Sequence, residues 1–234
     1  GTDRELLAMH FIDTAHGWVV GAAGLMLETR DGGRQWRDRS LEVDANLNDV
    51  FFLDATTGWV VGEYGVVLKT VDGGASWEQV AGNIPDAGDA SLSWEELMAK
   101  PDTGAGGGSL ATRGGLGEND TLFAVHFADP QHGWATATGG RVFLTRDGGH
   151  HWKTRETGSE TPLFAVGAAC ATCPLYACGG KGLVLRSTDG GLTWTPVQAA
   201  DRLYAYLRDL AFPSATTLVL VGTNGTLVVT HPEG

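Results

Sequence analysis

One recurring pattern limits what this chain can become. The unit Thr29-x-Asp31-x-Gly33-x-x-Trp36 returns at Thr70/Asp72/Gly74/Trp77, at Thr145/Asp147/Gly149/Trp152 and at Ser187/Asp189/Gly191/Trp194. Its aspartates lie 41, 75 and 42 residues apart. A period near 42 fits a four-stranded propeller blade, whose known repeats run about 40–50 residues. A second signature precedes each unit. Phe11-Ile12-Asp13 leads to Gly17-Trp18, Phe52-Leu53-Asp54 to Gly58-Trp59, and Phe127-Ala128-Asp129 to Gly133-Trp134. The fourth unit is looser at its start. A fifth begins with Leu207 to Phe212 and runs to Thr230 without another Asp-Gly-Gly.

Each unit holds four short apolar stretches, in the second near 47–53, 58–62, 65–70 and 76–80. Gly-rich connections join them, so successive strands should pair as antiparallel hairpins, and no helical periodicity runs through them. The expected fold is all-β: a β-propeller of four-stranded antiparallel blades with five recognisable repeats, one domain over residues 1–234. The box has a local physical logic. Its carboxylate can accept the following backbone amides, and its glycine takes a positive-φ position. The hydroxyl ties the other side, and the tryptophan lays a large apolar face over the hairpin. These residues are therefore expected to be structural, with no catalytic group among them.

The 75-residue spacing marks an insertion at residues 82–120. Within it Ser93-Trp94-Glu95-Glu96 has the spacing of a capping box, so one short helix is expected, ended by Pro101. The glycine run from 104 to 108 and Gly114-Gly115-Leu116-Gly117 read as flexible loop. Loops on a rigid scaffold carry function, which makes Trp94, Glu95 and Glu96 the candidate contact for a partner.

Charge narrows the partners. With 28 acidic against 16 basic side chains, the net charge is -12. Nucleic-acid binding needs a basic face, so it is excluded. No stretch reaches the roughly 20 apolar residues of a membrane-spanning helix. Cys170 and Cys173 sit where the other repeats have their first hairpin turn and are expected to form a disulfide, which places the protein outside the cytoplasm. Cys178 falls on an interior strand position. A second cysteine pair and a following histidine are both missing, so neither structural zinc nor haem attachment is expected. The histidines follow the repeat, His10 matching His126 and His16 matching His132, which suits packing and turns better than a metal site. No cofactor is implied. Asp49 and Asp209 occupy matching first-strand positions and could face each other across the axis, although strand aspartates there more often accept backbone amides.

The boxes are Asp-boxes, the bacterial neuraminidase repeat. The longer unit, from Phe-x-Asp through Gly-Trp to Asp-Gly-Gly-x-x-Trp, resembles the photosystem II stability/assembly factor family. That resemblance implies an exported β-propeller, usually seven-bladed, that binds another protein, a membrane-complex subunit, as an assembly factor or accessory subunit and catalyses nothing. The alternative is a glycoside hydrolase, sialidase-like or related, or a glycan-binding module. A sialidase needs three arginines and a Tyr–Glu pair. The candidates are Arg141, Arg202 and Arg208 with Tyr64, Tyr176, Tyr204 and Tyr206. The fifth repeat supplies only three strands, and residues 1–5 are barely enough for a fourth. The ring is therefore expected to be completed by further blades or by a partner.

Overall fold

The computed structural model describes residues 2–82, 115–117, 119–199 and 203–231. The short helix expected near Ser93 and the candidate contact residues Trp94, Glu95 and Glu96 lie outside these. The described chain folds into five antiparallel sheets in chain order, four of four strands and one of three. Blade 1 comprises β1 (Leu6–Phe11), β2 (Gly17–Gly21), β3 (Met26–Thr29) and β4 (Arg37–Asp38). Blade 2 is β5 (Leu47–Phe52), β6 (Gly58–Gly62), β7 (Val67–Thr70) and β8 (Glu78–Ala81). Blade 3 is β9 (Leu122–Phe127), β10 (Gly133–Ala137), β11 (Arg141–Thr145) and β12 (Trp152–Glu156). Blade 4 is β13 (Leu163–Ala168), β14 (Leu175–Gly179), β15 (Val184–Ser187) and β16 (Thr195–Pro196). Blade 5 is β17 (Leu207–Ser214), β18 (Thr217–Gly222) and β19 (Leu227–Thr230).

The first strands β1, β5, β9, β13 and β17 stand side by side around a central channel. The second strands are rich in Val, Trp and Ala and are buried on both faces in blades 1 to 4. A blade packs on each side, so these strands read as continuous apolar runs. In blades 2 to 5 the second and third strands are joined by a single 3-10 turn. In blades 2, 4 and 5 a left-handed residue, Tyr64, Lys181 or Asn224, precedes a left-handed glycine there.

Register explains the Gly-Trp signature. Gly17, Gly58 and Gly133 lie opposite Phe11, Phe52 and Phe127. A Cβ on Gly58 would come 2.7 Å from the Phe52 ring. The glycine makes room for the phenyl group. Blade 4 reverses the sizes: Ala168 faces Leu175. That volume-conserving exchange accounts for the loose start of the fourth repeat.

The core is a series of layers between blades. Trp18, Met26, Phe52 and Leu68 fill the first. Trp59, Leu122, Phe127 and Trp152 fill the second. The third holds Trp134, Leu144, Leu163 and Trp194, and the fourth Tyr176, Cys178, Leu207 and Leu220. One reading is corrected here. Leu116 was expected in a flexible loop, but it is fully buried in the layer between blades 2 and 3. The Gly65 amide donates to the Asp120 carbonyl, and Gly117 donates to the Asp120 carboxylate at 2.8 Å. Gly24 and Gly182 make the same inter-blade bond to the Ala45 and Ala205 carbonyls. Residues 115–120 thus end the insertion with the linker that every blade needs.

Candidate functional site

The four Asp-boxes are built alike at the blade rims. In blade 2 the Thr70 hydroxyl donates to Asp72 at 2.8 Å and accepts from the Gly74 amide at 2.8 Å. Asp72 also accepts the Ser76 amide at 2.9 Å and the Ser76 hydroxyl at 2.6 Å. Thr29, Asp31 and Gly33 repeat this in blade 1, with the Gln35 amide as donor to Asp31. In blade 3 Thr145, Asp147 and Gly149 do so with His151, and in blade 4 Ser187, Asp189 and Gly191 with Thr193. The Ser76 and Thr193 hydroxyls hold the Asp72 and Asp189 carboxyls down to about 2. Each box carboxylate is spent on its own turn, and the four are spread over four blades.

Box and Gly-Trp motif meet across the blade boundary. The Trp59 indole N–H of blade 2 donates to the Gly148 carbonyl in the box of blade 3 at 3.0 Å. Its ring stacks on Phe127 with centroids 3.6 Å apart, while Trp152 meets Phe127 edge-on. Trp134 reaches Gly190 of blade 4 in the same way at 2.9 Å. Trp18 stacks on Phe52 and meets Trp77 edge-on. The box is therefore also the socket for the tryptophan of the preceding blade. Nothing in the sequence pairs these positions, which lie 89 residues apart for Trp59 and Gly148.

The channel is the main concavity, about 730 Å³ in volume, lined by the five first strands. His10, Phe51 and His126 form an edge-to-face chain along it, with centroids 5.4 and 5.0 Å apart. Phe123 meets Phe164, and the Arg208 guanidinium lies 4.6 Å over the Phe164 ring. Burial lowers the pKa of both histidines, pushing His126 down to about 4. Burial pushes the Asp49 carboxyl up to about 7 and raises Asp209 as well. Asp49 accepts the Val50 amide through Oδ1 and the Val125 amide through Oδ2. Asp209 accepts the Leu210 amide. The matching aspartates do line one channel, where Asp49 ties β5 to β9 and Asp209 holds the next amide of its own strand. A polar, aromatic-walled channel of this kind can hold a side chain or an extended segment.

Of the described sialidase candidates, Arg208 and Tyr206 meet, with the guanidinium 5.9 Å over the ring, and Tyr204 is exposed. Tyr64 sits in a 3-10 turn of blade 2 and Tyr176 is buried between blades 4 and 5. Arg141 is paired with Asp120 at 2.8 Å, and Arg208 stacks on rings. Arg202 lies outside the described residues. Among those described, no group of three or more His, Cys, Asp or Glu could hold a metal, and no helix is long and apolar enough to cross a membrane.

Two features escaped sequence reasoning, the ion cluster around Glu28 and a pocket beside the disulfide that the sequence led us to expect. Glu28 on β3 is buried. Burial would raise its carboxyl, but Arg30 and Arg39 outweigh it and hold it low, with His16 at 3.2 Å. At the rim of blade 4, Cys170 and Cys173 are joined in a disulfide beside a pocket of about 270 Å³. Cys178 is a buried free thiol, raised far above its usual range by burial.

The fold and rim define the class: an Asp-box β-propeller, here five blades in chain order around a channel. Its particular likeness is to photosystem II assembly factors. The family model described as "Photosynthesis system II assembly factor YCF48" matches residues 1–94, which bears out the resemblance read from the repeats. The photosystem II assembly protein Ycf48 of Thermosynechococcus vestitus is 49% identical over 43 residues, 18% of this chain and 12% of that protein. The match thus spans about an eighth of that relative. Among solved structures, "YCF48 bound to D1 peptide" covers 100% of this chain and 80% of its own, with 24% identity and a TM-score of 0.57. An ancestral GH74 enzyme covers 99% of this chain and 30% of its own, with 16% identity and a TM-score of 0.65. Likenesses at such identities establish the shared fold, which hosts both binding proteins and enzymes.

Proposed function

We propose that this propeller is a non-catalytic, extracytoplasmic protein-binding factor that receives a segment of a membrane-complex subunit during assembly. The observation that carries this reading is the assembly-factor match over residues 1–94, in a fold whose box carboxylates are all committed to their own turns. The Cys170–Cys173 disulfide suits an oxidising compartment. The neighbour solved with a D1 peptide suggests the ligand class, a peptide segment of a protein partner. The insertion at 82–120 is the proposed specificity element, with Trp94, Glu95 and Glu96 as contacts and Leu116 anchoring its end between blades 2 and 3.

The experiment is fluorescence anisotropy with a labelled D1-derived peptide, run beside a panel of aryl glycosides and sialosides. We expect saturable peptide binding, weakened by Trp94→Ala, and no glycoside turnover. Turnover without peptide binding would replace this reading with the glycosidase one.

A further inference from the structure

We propose that the Cys170–Cys173 disulfide is a thiol–disulfide exchange site. A protein dithiol of the thioredoxin type docks in the adjoining pocket and attacks Cys173, and Cys170 leaves as the thiolate.

Blades 1 to 4 carry four versions of one turn, that of blade 4 one residue longer than the others. In blades 1 to 3 the first hairpin turn is clamped by an aspartate. Asp13 accepts the Ala15 and His16 amides at 2.7 and 2.8 Å, Asp54 those of Thr56 and Thr57, and Asp129 those of Gln131 and His132. The same turns are bolted to the box of their own blade. Gly32, Gly73 and Gly148 donate their amides to the carbonyls of Ala15, Thr56 and Gln131 at 2.8 to 3.0 Å. In blade 4 Cys170 stands in the place of the aspartate and Cys173 in that of His16, Thr57 and His132. The bolt is missing as well. A Cβ on Gly32, Gly73 or Gly148 would meet a turn carbonyl at 3.0, 2.8 or 2.7 Å, whereas one on Gly190 meets nothing within 4 Å. The blade 4 turn stands off its box, and the pocket opens between them. Ala128, Trp134, Ala168, Thr172, Cys173 and Gly190 help to line it.

A staple is not needed to shut this turn, because three sibling turns are shut by a carboxylate. A loop this short also gains least from the chain-entropy effect of a disulfide. The surroundings suit exchange instead. Cys170 is exposed, while Cys173 is half-buried and lines the pocket. The Thr172 hydroxyl lies 3.6 Å from Cys170 Sγ, placed to donate to a thiolate there. No acidic side chain lines the pocket to oppose that charge. A leaving sulfur whose thiolate is stabilised departs faster, which assigns the polarity. Cys178 is buried in another layer and takes no part.

The step balances as follows. A thiolate of the dithiol attacks Cys173 Sγ, the Cys170–Cys173 bond breaks, and Cys170 leaves as a thiolate that takes a proton from solvent. The second thiol of the dithiol gives its proton to solvent and attacks its own sulfur in the mixed disulfide. Cys173 is released and protonated. Two electrons pass to the propeller, and the dithiol becomes a disulfide. The turn then has neither bond nor bolt, and the rim of blade 4 is free to rearrange.

The test is a trap. The folded propeller is incubated with a thioredoxin whose resolving cysteine is replaced by serine, and the adduct is mapped by mass spectrometry. We expect a mixed disulfide on Cys173, formed while the propeller stays folded, and about tenfold slower capture in Thr172→Val at unchanged Tm. Capture only at the rate of global unfolding, or an adduct on Cys170, overturns the proposal. The double variant Cys170→Asp, Cys173→His carries the Asp and His of the blade 3 turn into the blade 4 turn, which is one residue longer. We expect it to melt close to wild type, and a large loss of Tm would show the bond to be a staple and overturn the proposal as well.

Discussion

The boundary between blades 2 and 3 and the outer face of blade 1 are made from the same residues in different company. At the boundary Phe127 is 1% and Trp152 4% exposed, because the Trp59 ring of blade 2 stacks on Phe127, which Trp152 meets edge-on. On blade 1 the matching Phe11 and Trp36 still meet edge-on at 6.2 Å, yet they are 40% and 37% exposed. Met9 beside them is 68% exposed, while its counterpart Val50 is buried. Blade 5 shows the converse face, with Val221 and Leu227 exposed where blades 1 to 4 bury their counterparts. The comparison separates two jobs. The box turn forms from local hydrogen bonds wherever its sequence occurs. The stability of the propeller comes from the tryptophan that a neighbouring blade inserts, and burial supplies that only where a neighbour exists.

Truncating the inserted ring should break the symmetry most. Trp59→Ala removes a fully buried indole, its stack on Phe127 and its bond to Gly148. A loss of about 3–5 kcal/mol is expected in chemical denaturation. Phe11→Ala on the outer face should cost about 1 kcal/mol, in keeping with its partial burial. Equal losses would mean that the outer face is as well packed as the boundary.

A subtler pair isolates the socket from the turn. Gly74 and Gly33 hold the same box position at φ of 83° and 86°. A methyl group at Gly74 would overlap the Trp18 indole, while at Gly33 it comes no nearer than 3.6 Å to Trp36. Both alanines carry about 1 kcal/mol of left-handed strain. Gly74→Ala should add an overpacking cost of about 1–3 kcal/mol. A thermal melt of each variant reads the difference, and matching Tm values would locate the whole cost in the backbone.

Much of this was legible in the sequence, and the limits have physical causes. The box and the Gly-Trp spacing fixed strand order and hairpin pairing, because both depend on contacts within about ten residues. The glycine opposite each phenylalanine was also visible as a repeat, but its purpose needed the register. The insertion of Trp59 beneath Gly148 was not visible, since it joins separate blades across the irregular spacing. Leu116 was missed because one apolar residue among glycines resembles loop; its burial is decided by the neighbouring blades. The vacated bolt beside Cys170 is likewise a difference in three-dimensional spacing that no residue type announces.

The smallest effect tests whether the box is as local as the comparison requires. Asp72 accepts the Ser76 hydroxyl and amide and is held to about 2, below its usual 3.8. Asp31, on the blade with the open face, is lowered chiefly by the Gln35 amide. A carboxyl with a depressed folded value stabilises the fold fully above the unfolded value and loses that contribution as pH falls. For Asp72 the window runs from about 4 down through about 2. The Tm of the wild type should therefore fall across this window. Asp72→Asn and Asp31→Asn should each flatten the fall by a small amount, more for Asp72, which also accepts the Ser76 hydroxyl, because both residues are exposed to solvent and each turn draws its donors from within four residues. A flattened slope for Asp72→Asn alone would tie the box of blade 2 to the Trp18 inserted against it, and the division between local turn and inter-blade socket would fail.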